Sequence, residues 1–161
     1  MRKTVKKRLL EVLDHVAACY TYLRDNFVCW KCGKSNMRTP DMQYSHIISR
    51  AQNGRMKYYH KNAKTLCLVC HKYWRHLNPT LAWEWFQENY PELDAELKDM
   101  NANRPLGSIK LQGFDDQLEW VIEQLSTMDW QRLSKHVWVK RYGVLCKIMG
   151  NKEDRRSVVY K

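Results

Sequence analysis

Cys29-Trp30-Lys31-Cys32 and Cys67-Leu68-Val69-Cys70 form two Cys-x-x-Cys pairs. One such pair would fit a redox motif as well as a metal site. Two pairs supply four soft thiolates, the donor set of a closed tetrahedral zinc site. A structural Zn2+ on Cys29, Cys32, Cys67 and Cys70 is therefore expected, stabilising the fold without an open position for chemistry. Cys19 and Cys146 fall among apolar residues and read as small hydrophobes. Between the pairs, or directly after the last cysteine, stand His46, Asn62 and His71. An imidazole with an ordinary pKa near 6.5 accepts a proton at neutral pH, which lysine and arginine cannot do. His46, in Ser45-His46-Ile47-Ile48-Ser49-Arg50, is thus a candidate for activating water.

Charge shows what this chemistry would act on. Residues 29–78 carry ten lysines and arginines against one acid, and residues 130–161 carry nine against two, whereas residues 79–129 carry eleven acids against three bases. The net charge of +11 is therefore concentrated on the cysteine segment and the C-terminal arm, a pattern that suits a polyanion held against two surfaces. Arg50, Arg55, Lys57, Lys61 and Lys64 can line a phosphate track beside His46, with Tyr58 and Tyr59 interleaved as base-stacking or core residues. Arg141, Lys147, Lys152, Arg155 and Arg156 form a second basic group.

Several elements must position these residues. Apolar residues at Val5, Leu9, Leu13, Val16, Ala17 and Tyr20 predict a helix over 4–24 with one apolar face, suited to covering a core or to dimer packing. Gly33 frees a tight knuckle at 29–33, 44–48 reads as a strand, and Asn53-Gly54 marks a turn. A helix is expected to open at 66–71 and run through Trp74. Asn78-Pro79 caps the next, Tyr90-Pro91 interrupts it, and Leu93, Leu97 and Met100 continue a further one. Residues 101–107 read as a linker, Leu118 to Met128 as a helix, and Asp129 as the cap of another that ends at Gly143. Two short strands around a polar turn are expected over 144–161. The tryptophans within the predicted helices, Trp83, Trp85, Trp120, Trp130 and Trp138, read mostly as core.

At 161 residues the chain fits one ordinary domain with an appended arm, and no apolar run is long enough to span a bilayer. With no signal-peptide pattern, a soluble cytoplasmic protein with no membrane partner is expected. The predicted class is α+β and mostly helical. It divides into an N-terminal amphipathic helix at 1–26, a zinc-bound module with trailing helices at 27–100, and a helical, basic extension at 101–161.

Over about residues 27–90 the sequence resembles the HNH endonucleases. The resemblance rests on Cys29-Trp30-Lys31-Cys32-Gly33, Ser45-His46-Ile47-Ile48-Ser49-Arg50, Asn62 and Leu66-Cys67-Leu68-Val69-Cys70-His71. Within that superfamily Gln43-x-Ser45-His46-Ile47-Ile48-Ser49-Arg50 is most similar to the phage NinG group, also called Rap, associated with recombination and branched DNA. The resemblance implies a ββα-metal module in which His46 is the general base and Asn62 fixes the loop or orients His46. It also implies that His71 ligates a catalytic Mg2+ or Mn2+ and that Arg50 clamps a phosphate. Many HNH enzymes carry Asp or Glu immediately before the base histidine; here that position is Ser45, as in NinG-like sequences, and Asp41 is the one acid between residues 29 and 78 that could substitute. His60 and His76 are further nitrogen donors that read as surface residues.

The reading that follows is a metal-dependent DNA endonuclease, phage-encoded and acting on branched or junction DNA, for which a two-fold homodimer would suit symmetrical cleavage. Two alternatives stand beside it. One is a non-catalytic zinc module that binds DNA or docks on phage recombination or packaging proteins; the other is a nicking or site-specific HNH enzyme.

Overall fold

The computed structural model describes residues 5–103 and 112–150. Helix α1 (Val5–Arg24) leads into the cysteine knuckle, and strand β1 (Met42–His46) follows. A loop with two short 3-10 turns, Gly54–Tyr58 and His60–Asn62, connects it to strand β2 (Ala63–Cys67). The chain then winds as a helix from residue 68, with Cys70–His76 in π geometry. Helices α2 (Pro79–Asn89), α3 (Pro91–Asn103), α4 (Gln112–Ser126) and α5 (Val139–Gly150) complete the order, with a 3-10 turn at Trp130–Lys135 before α5. The class is helical α+β, with one antiparallel two-stranded sheet among the described residues, in the register Met42↔Cys67 to His46↔Ala63. No helix among the described residues is long and apolar enough to cross a membrane.

The single apolar face expected of α1 proves too narrow. Every residue from Val16 to Leu23 is buried, because α4, α5 and both strands pack around the helix. A helix enclosed on all sides is the centre of a core, which leaves its lower half covered within the chain itself. The main cluster joins Leu13, Val16 and Tyr22 of α1 to Leu125 of α4, Leu133, and Leu145 and Ile148 of α5. A smaller cluster under the 47–62 loop gathers Ile47, Ile48, Met56, Phe86 and Leu97, with Trp30, Trp83 and Trp85 at its edge.

Arg24 ties the end of α1 to the sheet. Its guanidinium donates to the carbonyls of His60 (2.6 Å) and Ala63 (2.7 Å) and to Asp25 Oδ1 (2.8 Å), while Asp25 Oδ2 accepts from the Thr65 amide (2.7 Å). These charge-assisted bonds fix where β2 lies against the core.

Differences from the sequence expectations have physical reasons. The strand is 42–46 and not 44–48, because Ile47 and Ile48 leave the sheet to fill the smaller cluster. The stretch 144–149, expected as a strand, lies inside α5, where Leu145 and Ile148 at helical spacing face the core. Gly143 does not end a helix but sits within α5, and the segment after Asp129 makes only a 3-10 turn. Asn78 precedes α2 without a side-chain cap bond; its amide donates instead to the Tyr73 carbonyl at 2.8 Å. Helix α3 extends through Asn103, into the expected linker. Trp138 is exposed, at 55%. The remaining expected strand, with Lys152, Arg155 and Arg156, lies outside the described residues.

Candidate functional site

The sulfurs of Cys29, Cys32, Cys67 and Cys70 lie within 4.8 Å of one another. Two local devices bring them there. Gly33, at φ +73°, turns the first knuckle so that its amide donates to the Cys29 carbonyl (2.9 Å), and the Cys29 amide donates to Lys34 O (2.8 Å). The second pair spans the end of β2 and the first helical turn, where the Cys70 amide donates to Cys67 Sγ at 3.4 Å. Four convergent sulfurs are the donor set for a metal such as zinc, and the burial of three of them suits a structural ion. The pair joins the start of the insert to its end, so an ion there would close the loop that carries His46.

His46 sits at the last position of β1, in the wall of a cleft of about 600 Å³. Its Nε2 lies 2.8 Å from the Lys57 carbonyl, which can only accept. Nε2 therefore carries the proton, and Nδ1 keeps the lone pair. Tyr44 OH donates to the same carbonyl at 3.0 Å, and its ring meets the imidazole edge to face at 4.6 Å, so carbonyl and ring are held together. Burial pushes the His46 pKa down to about 4, with the charges of Arg50 and Lys57 acting the same way against the stabilising Lys57 hydrogen bond. The ring is thus neutral across the physiological range, further from its ordinary value than the sequence suggested.

Asn62 is fully buried and holds the loop rather than the histidine. Its Oδ1 accepts from the Ile48 amide (2.7 Å), and its Nδ2 donates to the carbonyls of Ile48 (3.0 Å) and Met56 (2.9 Å). It thereby fastens the chain leaving β1 to the chain entering β2, on either side of the segment that presents Lys57 O to His46.

His71 lines the same cleft, and its Nε2 stands 3.0 Å from Nε2 of His76. Arg75, between them, donates to the carbonyls of Ile47 (2.7 Å) and His46 (3.3 Å), which locks this helix to the end of β1. The cleft is completed by Arg50, Lys57, Arg141 of α5, and Glu11, Asp14 and His15 of α1. Asp14 accepts from Tyr58 OH (2.6 Å) and pairs with Lys57, so Lys57 is largely neutralised.

The basic residues expected beside His46 therefore divide. Arg50 and Lys57 line the cleft, but Lys61 pairs with Glu96 at 2.7 Å, Lys64 lies over the Trp30 ring at 5.2 Å, and neither they nor Arg55 are among its lining residues. Tyr58 is buried and Tyr59 OH bonds to Glu96, which makes both structural. Asp41 lies before the opposite end of β1, about 16 Å from His46 at ordinary strand rise, and is absent from the cleft. His60 packs against Trp120 instead. The residues that sequence reasoning missed are Asp14, His15 and Arg75; Arg141 was expected only as part of a second basic group apart from His46, and here it lines the same cleft. Arg75, one turn after His71, carried a signal in its spacing; Asp14 and His15 come from a distant helix and carried none.

Comparison with protein-family models, curated proteins and solved structures finds no match to the chain.

Proposed function

We propose that the chain is a metal-dependent DNA endonuclease that hydrolyses phosphodiester bonds, with branched DNA as its preferred substrate. One observation carries this reading: His46, with Nδ1 unprotonated, shares a single basic cleft with His71, Arg50, Arg75 and Arg141.

His46 Nδ1 accepts a proton from water, and the bond from Nε2–H to Lys57 O strengthens as the ring gains charge. Arg50 and Arg141, on opposite walls, neutralise phosphate charge and orient the backbone. His71 fits a divalent ion through a neutral nitrogen in the cleft, and a bound Mg2+ or Mn2+ would supply charge stabilisation at the phosphate and leaving oxygen. Asn62 and Arg75 are positioning residues that act through the backbone flanking His46.

A second reading, a zinc module that only binds DNA or docks on recombination machinery, is favoured by one feature: Ser45 is buried and the strand brings no carboxylate to the cleft. The deciding experiment is cleavage of labelled linear, nicked and four-way-junction DNA with Mg2+ or Mn2+. Wild type is compared with His46→Ala, both carrying one zinc per chain. Cutting that disappears in the variant is expected, fastest on the junction. A folded, zinc-loaded, DNA-binding protein that cuts none of these substrates would leave the binding module.

A further inference from the structure

The helix after β2 winds in π geometry over Cys70–His76, and its ladder shows in the bond from the Leu77 amide to Lys72 O, five residues back, at 3.3 Å. In an α-helix, residues five apart point about 140° away from each other around the axis. In a π turn they stack, and such turns concentrate at functional sites. Here the consequence falls on His71 and His76, whose rings cross at 89° with centroids 4.3 Å apart and whose Nε2 atoms are 3.0 Å apart.

We propose that His71 and His76 together form a two-nitrogen chelate for the divalent ion of the cleft, selecting a first-row transition ion over Mg2+. Two imidazole nitrogens bound at about 2.1 Å to one ion, at roughly a right angle, stand about 3.0 Å apart. The separation in this chain therefore suits two adjacent positions of a coordination shell. Without an ion one Nε2 donates to the other; on binding, the donor ring carries its proton on Nδ1 instead, so both rings stay neutral, both Nε2 lone pairs face the ion, and the side chains need not move far. The chelate also accounts for Ser45: with two nitrogens on the helix, the strand need not provide a carboxylate, and the remaining positions stay open for phosphate oxygen and water. Neutral imidazole pairs suit Ni2+, Zn2+, Cu2+ and Fe2+, whereas Mg2+ takes oxygen donors in a near-ideal octahedron. His76 is exposed and His71 half-buried, so the pair is reachable from solvent.

This inference rests on the nuclease reading for its purpose but is tested independently of it. The full chain, with one zinc already bound, is titrated calorimetrically with NiCl2 and separately with MgCl2. Wild type is expected to bind one Ni2+ per chain. His76→Ala and His71→Ala should each weaken this binding about tenfold or more, His60→Ala should leave it unchanged, and Mg2+ should bind about a hundredfold more weakly. Circular dichroism and retained zinc confirm that each variant is folded. Equal Ni2+ affinity in wild type and His76→Ala, or Mg2+ binding as tightly as Ni2+, overturns the chelate. Cleavage assays separate the two ideas. Ni2+ binding that His76→Ala abolishes, in a protein that cuts no DNA, upholds the chelate and removes the nuclease. Equal Ni2+ affinity in wild type and His76→Ala, in a protein whose cutting His46→Ala abolishes, removes the chelate and keeps the nuclease.

Discussion

At the scale of single residues, His46 is governed by what surrounds its two nitrogens. Lys57 O fixes the tautomer, and burial holds the pKa near 4, so the base form persists to well below neutrality. On the nuclease reading proposed above, the rate of cleavage should accordingly show no loss near pH 6.5 from this group, falling only as the pH approaches 4; a pH–rate profile of kcat/KM checks this. The same shift is a stability effect. Unfolding returns the ring to its ordinary value, so between pH 6.5 and about 4 the unfolded chain binds more protons, and stability falls as pH drops through that window. His15, His60 and His71 are lowered in the same direction, chiefly by burial, so the contribution of His46 appears as the difference between wild type and His46→Gln in urea unfolding at pH 7 and pH 5. Asn62 is a different kind of residue, valuable for bonds and not for proton transfer. Asn62→Ala strands the Ile48 amide and two carbonyls in a buried site, and should cost about 2–4 kcal/mol by urea denaturation.

At the scale of elements, the β1–loop–β2 unit is closed at one end by the four sulfurs and fastened at the other by Asn62. Cys70→Ser, or removal of the metal with a strong chelator, should lower stability by about 3 kcal/mol or more, read as a fall in the urea midpoint together with loss of bound zinc. Helix α5 yields the opposite sign. A Cβ at Gly143 meets nothing within 4 Å, so Gly143→Ala should stabilise the chain by about 0.5–1 kcal/mol, measurable as a rise in Tm. Much at this scale was legible: the knuckles and the Tyr90-Pro91 break depend on local chemistry and stand where that chemistry puts them, whereas Asn53, extended at φ −150°, caps the 3-10 turn that Gly54 opens instead of forming an Asn-Gly hairpin turn. The tail was not. Val144, Leu145, Ile148 and Met149 suit a short strand by type, and their helical burial follows only from lying against α1.

At the scale of the whole molecule, the cleft has two walls from distant parts of the chain. One comes from the strand, loop and π turn; the other comes from α1 and α5. Arg141 reaches the cleft from α5, with its guanidinium bonded only weakly to Tyr22 OH at 3.3 Å. On the proposed DNA-cleaving reading, Arg141→Ala should weaken DNA binding and reduce the slope of log affinity against log salt by about 1, whereas Lys61→Ala, whose charge is paired with Glu96 outside the cleft, should leave the slope unchanged; fluorescence anisotropy over a salt series measures both.

What the sequence alone determined is the chemistry that depends on residue type and short spacing. Four thiolates in two close pairs supply a donor set that could hold a metal, a histidine on a strand offers a proton acceptor, and charge counted by segment gives the sign of each segment but not where its charges point. Tertiary structure decided which of those residues meet. It buried α1 on every side, carried Lys61 and Lys64 away from His46, and brought Asp14, His15 and Arg141 to it. It also wound five residues into one turn so that His71 faces His76. The physical reason is that periodicity reports which side of an element is apolar, whereas the partner that covers that side is chosen by packing among helices far apart in the chain.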